Sequence, residues 1–467
     1  MMETLQPSRA AVERDDLRWF AQVRATLALG LPLVGSQLAQ MSINVTDTVM
    51  VGWLGATQLA AGVLAAQTFF LVWMFGAGFA HAIMPLAAAA QGQGDHRAVR
   101  RSVRMGLWIL TGYSLLVMLP LWHTEAILVL LRQDPQVAAM AGRFMRILQW
   151  SMLPALLLMG LRSYLSALSR ADIVLWATLV GAVVNGFLDY ALIFGHFGAP
   201  HLGMTGAALA SVATNLIILS VLFLYCFGHP DLRRHEIFAR IWRPDWHDFF
   251  VILRLGWPIG ATIVAEVGLF TATSIMMGWI GTLELAAHGI ALQLTGIAFM
   301  VPLGLSQAAT VRVGLAHGRG DPHGLARAGI AAIGVTMAFS LIGAFVFWTL
   351  PGALIGLYLD DTKPNAAEVL AVAVPLLAVA AAFQIVDGLQ AIGTGLLRGL
   401  KDTRTPMLIA IFSYWLVGLP VAYVLGFVLG WGGVGIWWGL AVGLAGAAVL
   451  MNWRFYHREK LGLIRSS

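Results

Sequence analysis

Five polar side chains stand in stretches otherwise built from apolar residues. They are Asp47 in MSINVTDTVMVGWLG, Asn185 and Asp189 in VVNGFLDYALIFG, Glu266 in TIVAEVGLF, and Asp387 in FQIVDGLQAIG. Asn185 and Asp189 are four residues apart, the spacing that puts two side chains on one helix face. A carboxyl in an apolar cavity can carry a proton near neutrality. The same carboxylate, with an amide and backbone oxygens around it, is a hard-oxygen cage for Na⁺. A carboxylate also attracts a cationic organic guest. The residue types leave proton, Na⁺ and organic cation open.

An acid at the middle of a membrane helix costs about 2.5–3.5 kcal/mol on insertion scales, so four cost on the order of 10 kcal/mol together. Packing does not demand that expense. The structural alternative is that each acid pairs with an arginine and ties helices together, with Arg143, Arg146, Arg162 and Arg254 as the available partners. Gln40, Asn44, Gln293 and His288 are further candidates to line a cleft, although His288 suits a helix–helix hydrogen bond equally well.

The elements that carry these residues follow from composition. The chain has 467 residues, 59% hydrophobic and 11% charged, with mean hydropathy +0.79. A soluble globular protein carries roughly 25% charged residues, so the medium here must be mostly lipid. A helix needs about 20 apolar residues to cross the hydrocarbon core. Runs of that kind are expected at 26–52, 59–90, 102–122, 136–163, 172–195, 204–227, 249–279, 285–316, 324–350, 366–397, 405–429 and 434–455. The runs are continuous rather than alternating, which excludes a strand reading. The fold class is therefore an all-α membrane protein of twelve transmembrane helices.

Charge sets the orientation. The even-numbered connections hold GDHRAVRRSVR (94–104), SRAD (169–172), DLRRHEIFARIWRPD (231–245), RGDPHGLAR (319–327) and RGLKDTR (398–404), whereas the odd-numbered ones contain little Lys or Arg beyond Arg132 and Lys363. Lys/Arg-rich loops stay cytoplasmic, which places both termini inside. The net charge of +6 then marks one membrane face and does not indicate a nucleic-acid partner. The charged first two dozen residues show no removable signal peptide. Cys226, the single cysteine, has no partner for an intramolecular disulfide.

Sliding the sequence on itself by 226 residues exposes a duplication. Leu29, Gly30 and Pro32 meet Leu255, Gly256 and Pro258. Gly52, Trp53 and Gly55 meet Gly278, Trp279 and Gly281, and Gln67 meets Gln293. Gly92, Gly94 and Asp95 meet Gly318, Gly320 and Asp321. Apolar runs match one another by chance, but matched Gly, Pro, Trp and Asp punctuation does not. Each copy has an even number of helices, so both enter from the same side and a pseudo-two-fold along the membrane normal relates them. The expected organisation is a cytoplasmic segment 1–25, a lobe at 26–227, a linker at 228–248, a second lobe at 249–455 and a tail at 456–467. The acids do not follow the repeat, since Asp47 meets Thr273 and Gln40 meets Glu266. Pro32 and Pro258 are expected to kink the first and seventh helices.

The motifs for other chemistries are missing. The chain contains no GxxxxGK[ST] phosphate loop, HExxH, CxxC or DDxxD, so ATP-driven transport and an intramembrane enzyme are unsupported, and no cofactor is expected beyond a coupling ion, Na⁺ or H⁺. The segments GLPLVGSQLAQMSINVTDTVMVGWLG, AAHGIALQLTGIAFMVPLGLSQAATVRVG and GLLRGLKDTRTP resemble the multidrug and toxic compound extrusion family, in its bacterial NorM-like branch. The resemblance covers about residues 25–455. It implies two six-helix bundles around a central cleft in the bacterial inner membrane. It also implies antiport of small cationic amphipathic compounds, such as dyes and fluoroquinolone-like drugs, against Na⁺ or H⁺, with no obligate protein partner. By motif, Glu266 and Asp387 look like that family's second-bundle acids, and Asp47, Asn185 and Asp189 like its first-bundle cation site. A lipid-linked sugar flippase of similar architecture is the alternative within transport; it would want basic residues in the cleft and commonly more than twelve spans.

Overall fold

The structure is a computed structural model that describes residues 9–238, 242–359 and 366–464. The expected cytoplasmic ends fall partly outside this set, at residues 1–8 and 465–467, as does Lys363. Twelve long helices account for most of the described chain. They are α1 (Arg9–Gly52), α2 (Ala56–Gln93), α3 (His96–Trp122), α4 (Pro135–Ala167), α5 (Ala171–Phe194) and α6 (Met204–Gly228). The second set is α7 (Trp246–Ile280), α8 (Thr282–Arg319), α9 (Pro322–Thr349), α10 (Ala366–Gly399), α11 (Arg404–Val428) and α12 (Gly432–Tyr456). Among the described residues there is no strand. Helices α2 to α12 are each long and apolar enough to cross a membrane. Helix α1 falls short because Gln37, Gln40, Ser42, Asn44 and Asp47 interrupt its apolar run. It packs on α2, α5, α8 and α9, and polar side chains that face other helices or a solvated cleft are tolerated in a membrane helix.

The shared punctuation of the two copies has a structural reason. Gly94 and Gly320 end α2 and α8 in the left-handed region, at φ 72° and 65°, where a residue without Cβ is unstrained. Asp95 and Asp321 follow at once and cap the next helices. Asp95 Oδ1 accepts from the Arg97 and Ala98 amides, and Asp321 Oδ1 from that of Gly324, satisfying donors the first turn leaves open. Pro32 and Pro258 lie inside helices assigned as continuous. Helix α11 passes through π-helical turns at Phe412–Gly418 and Val424–Val428. It also runs very close to α12, where a Cβ on Gly439 would strike Ala422 and one on Gly443 would touch Gly418.

Packing gives two large apolar cores. One draws on α2 to α6 and the other on α8 to α12. Helix α7 is divided between them. Ile252 and Ile259, near its start, join the first core, and Leu269, Met276 and Met277 join the second. Contacts between the two sets of helices obey the repeat. Helix α2 packs on α7 as α1 packs on α8, and α3 meets α7 as α9 meets α1. The close approaches repeat too. A Cβ on Gly78 would strike the backbone of Gly256 and Gly260, and one on Gly304, its counterpart, would come 2.6 Å from the Val34 nitrogen. These contacts lie toward the helix ends that carry the basic connections.

Candidate functional site

In the first set of helices, α1, α5 and α6 converge on one polar group. Asp47 lies near the C-terminal end of α1, and Asn185 and Asp189 lie on one face of α5, near its end. The Asp47 carboxylate stands against both Asp189 and Asn185. Ser211 of α6 donates to Asp47 Oδ2 at 3.5 Å; the sequence does not single it out, because a lone serine in an apolar run carries no signal. Asn185 and Asp189 are fully buried. Among the described residues, neither oxygen of Asp189, neither polar atom of the Asn185 amide, nor Oδ1 of Asp47 closes a hydrogen bond. Neighbouring carboxylates of this kind need a positive charge to share. Among the described residues no group of three or more His, Cys, Asp or Glu could hold a metal ion. What α1 and α5 supply is two carboxylates and an amide, an oxygen-rich set suited to a hard cation.

In the second set, Glu266 of α7 and Asp387 of α10 interact electrostatically with each other. Glu266 also feels Arg398, further along α10, and Tyr414 of α11 feels all three. Tyr414 is wholly buried, and its hydroxyl and Asp387 Oδ1 close no hydrogen bond among the described residues. The Trp415 indole donates to the Ala265 carbonyl at 3.1 Å and fixes the turn of α7 that carries Glu266. Arg398 could have been suspected from the sequence, but its neighbours Gly399 and Lys401 make it read as part of the basic connection.

Three of the four arginines named as possible partners for the acids make other contacts. Arg143 donates to the Ala139 carbonyl of its own helix, and Arg146 pairs with Glu125. Arg162 donates to Gln40 Oε1 at 3.2 Å and to Thr178 Oγ1 at 3.0 Å. None of Asp47, Asp189, Glu266 and Asp387 is in an ion pair among the described residues. Arg162 borders a small polar chamber of about 20 Å³ with Gln37, His81 and Gln307, residues drawn from both sets of helices. Of the remaining candidates, Asn44 is exposed, whereas Gln293 is half-buried. His288 is enclosed, hydrogen-bonded to Ser274 Oγ at 3.0 Å and edge-on to Trp437, so it serves the helix–helix contact.

A twelve-helix membrane protein made of two parallel six-helix repeats, with unpaired carboxylates inside each, has the architecture of a secondary transporter. The family model MatE matches twice, at residues 32–191 and 258–424, and its two matches begin at Pro32 and Pro258, the positions the 226-residue shift pairs. The chain is 53% identical over 443 residues to "Probable multidrug resistance protein NorM" of Rhizobium meliloti, covering 95% of each protein. It is 51% identical to the protein of the same name in Agrobacterium fabrum, over 94% of each. Its fold matches the crystal structure of a mutant of the Vibrio cholerae MATE transporter VcmN with a TM-score of 0.87 at 16% identity, covering 95% of this chain and 98% of that one. The chain belongs to the MatE family.

Proposed function

We propose that the protein is a multidrug efflux antiporter that exports small organic cations in exchange for Na⁺ or H⁺ by alternating access. The observation that carries this reading is the presence of two buried acidic groups, one in each repeat, with none of their carboxylates in an ion pair among the described residues. Asp47, Asn185 and Asp189 hold the coupling cation. Glu266 and Asp387 alternate between the guest and an ion, with Arg398 beside Glu266 as the fixed positive charge that limits how much each can hold. Loading one occupant weakens the hold on the other because they compete for the same negative charge. The lobes are 26–227 and 249–455, joined by a cytoplasmic linker at 228–248, and the basic connections face the cytoplasm by the charge rule. With the lobes pressed together at that face, the conformation described is closed to the cytoplasm. The names of the relatives support multidrug substrates, and the acids support a positive charge on them.

The direct test is dye export from proteoliposomes energised by a Na⁺ gradient or a pH gradient, one at a time. Export driven by either gradient supports antiport. Export that needs neither, or that requires ATP, removes the reading.

A further inference from the structure

A cavity of about 770 Å³ opens between α3, α4 and α6, on the side of the first six helices away from the acids. That size is in the range of ligand pockets, about 300–1,000 Å³. Leu107 and Thr111 of α3, Leu157 and Leu161 of α4, and Ser220 and Leu224 of α6 line it. Ser220 and Leu224 are exposed, so the cavity is a groove open to the surrounding lipid. Its end is shut by the linker between the repeats, where Phe238 packs on Phe223 with ring centroids 4.3 Å apart.

The end of the groove that the linker shuts is flanked by arginines. Arg100 and Arg104 precede Leu107 and Trp108 on α3 at helical spacing, which stacks them below the lining residues. Arg104 lies within electrostatic reach of Arg100 and Arg243 and of the carboxylates Asp245 and Asp248. Glu236, two residues before Phe238, pairs with Arg100 at 2.6 Å, so the segment that shuts this end of the groove also holds Arg100 there. Arg243 is exposed between residues that mark the bilayer surface, because Trp242 and Trp246 are both exposed and tryptophan collects at the headgroup level. The connections 94–104 and 231–245 together hold eight arginines against four acids.

We infer that this groove binds one anionic phospholipid of the leaflet facing the basic connections, with an acyl chain between α3, α4 and α6 and the phosphate among Arg100, Arg104 and Arg243. The apolar lining accepts the chain, and basic pockets between membrane helices at this depth take acidic headgroups. The charged and apolar parts are continuous through one face of α3, which a merely lipid-washed surface would not require.

The test is native mass spectrometry of the purified full-length protein in detergent, given dioleoyl phosphatidylglycerol or dioleoyl phosphatidylcholine. One copy of the anionic lipid is expected to be retained in preference to the neutral one. Ser220→Trp, or the milder plug Leu157→Phe, is expected to abolish retention of both lipids while the protein stays monodisperse. Arg100→Gln and Arg243→Gln are each expected to lower retention of the anionic lipid by about fivefold, the loss for one arginine near an acidic surface. Equal retention of the two lipids would overturn the proposal. So would anionic retention untouched by the plugs, or a wild-type protein that retains neither lipid. Plugs that stop dye export but leave lipid retention unchanged would assign the groove to a transported compound instead.

Discussion

Gly92 and Gly318 are counterparts across the repeat, and each lies against the other's helix at the same end of the α2–α8 crossing. A Cβ on Gly92 would run into the Leu315 carbonyl, and one on Gly318 into the carbonyl of Ala89. Ala89 and Leu315 are themselves 226 residues apart. The two lobes therefore meet backbone to backbone on the pseudo-two-fold axis, at the end where the basic connections emerge. Backbone cannot move aside as a side chain can. Gly92→Ala and Gly318→Ala should each destabilise the protein by about 1–3 kcal/mol, the usual penalty for overpacking. Gly112→Ala, which meets nothing within 4 Å, should not. Thermal unfolding in detergent compares the three, and equal melting temperatures would mean that the crossing is looser than described.

The same face is bridged by charge. Arg101 of α3 pairs with Asp248 of α7 at 3.3 Å and approaches Asp245 at 3.9 Å, while Arg312 of α8 donates to Gln22 and Thr26 of α1. The first pair is partly exposed, so its loss should cost stability no more than about 1 kcal/mol. Its effect should appear in the balance between conformations. Arg101→Glu places like charges across the lobe contact and should raise labelling of a cysteine introduced beside it, with slowed export. Arg101→Glu combined with Asp248→Arg should restore both, whereas a double variant no better than the single would sever the link between this pair and closure.

Arg162 is a cation inside the first lobe that no acid neutralises by an ion pair. Its two bonds hold Gln40 of α1 to Thr178 of α5, the same two helices that bring Asp47 to Asn185 and Asp189. Arg162→Ala should cost about 1–3 kcal/mol by stranding buried polar partners and should weaken cation binding at Asp47 through misplacement of α1. Arg162→Lys should recover only part of either loss, since an ammonium cannot span both acceptors as the guanidinium fork does. Cation titration beside thermal unfolding would check this, and a fully competent Arg162→Lys would deny the fork its role.

The linker carries a pH-sensitive contact. His235 is buried, shares a 3.0 Å hydrogen bond with the Tyr164 hydroxyl, and lies edge-on to His96. Burial, and then the nearby His96, lower its pKa from 6.5 to about 4. The unfolded linker then binds more protons than the folded one between those two values, so the stability His235 contributes is complete above pH 6.5 and is lost as the pH falls toward 4. The full loss is on the order of 3 kcal/mol. His235→Gln keeps a hydrogen-bonding side chain without that titration and should flatten the pH dependence of thermal stability in this window. An unchanged profile would place the acid sensitivity elsewhere.

Much of the architecture is legible in the sequence because lipid imposes simple rules. Apolar length marks eleven of the spans. Helix α1 is also legible from its apolar run, although Gln37, Gln40 and Asp47 make it too polar to stand alone, and its neighbours explain why it is tolerated. The duplication is legible from Gly94, Asp95 and their counterparts, since a left-handed cap followed by an Asp cap admits few substitutes. The division of α7 between two cores is not legible, because the apolar pattern of one helix does not say which neighbour it touches. The grouping of Asp47 with Asn185 and Asp189 can be anticipated only from the resemblance and the four-residue spacing. Ser211, Arg398 and Tyr414 escape a reading of the sequence because their placement depends on how helices distant along the chain come together.

The central claim is that buried negative charge in the two lobes is shared between an inorganic cation and an organic one. The measurement that tests it most directly is equilibrium binding of tetraphenylphosphonium to the purified protein, titrated with Na⁺ at fixed pH and with protons at fixed Na⁺. Wild-type protein should lose the organic cation as one of the two ions rises. Asp387→Asn should bind it at least about tenfold more weakly, the loss of one desolvated charge contact, and Asp47→Asn should bind it with the ion competition blunted. Binding indifferent to both ions, or unimpaired in Asp387→Asn, would contradict the account.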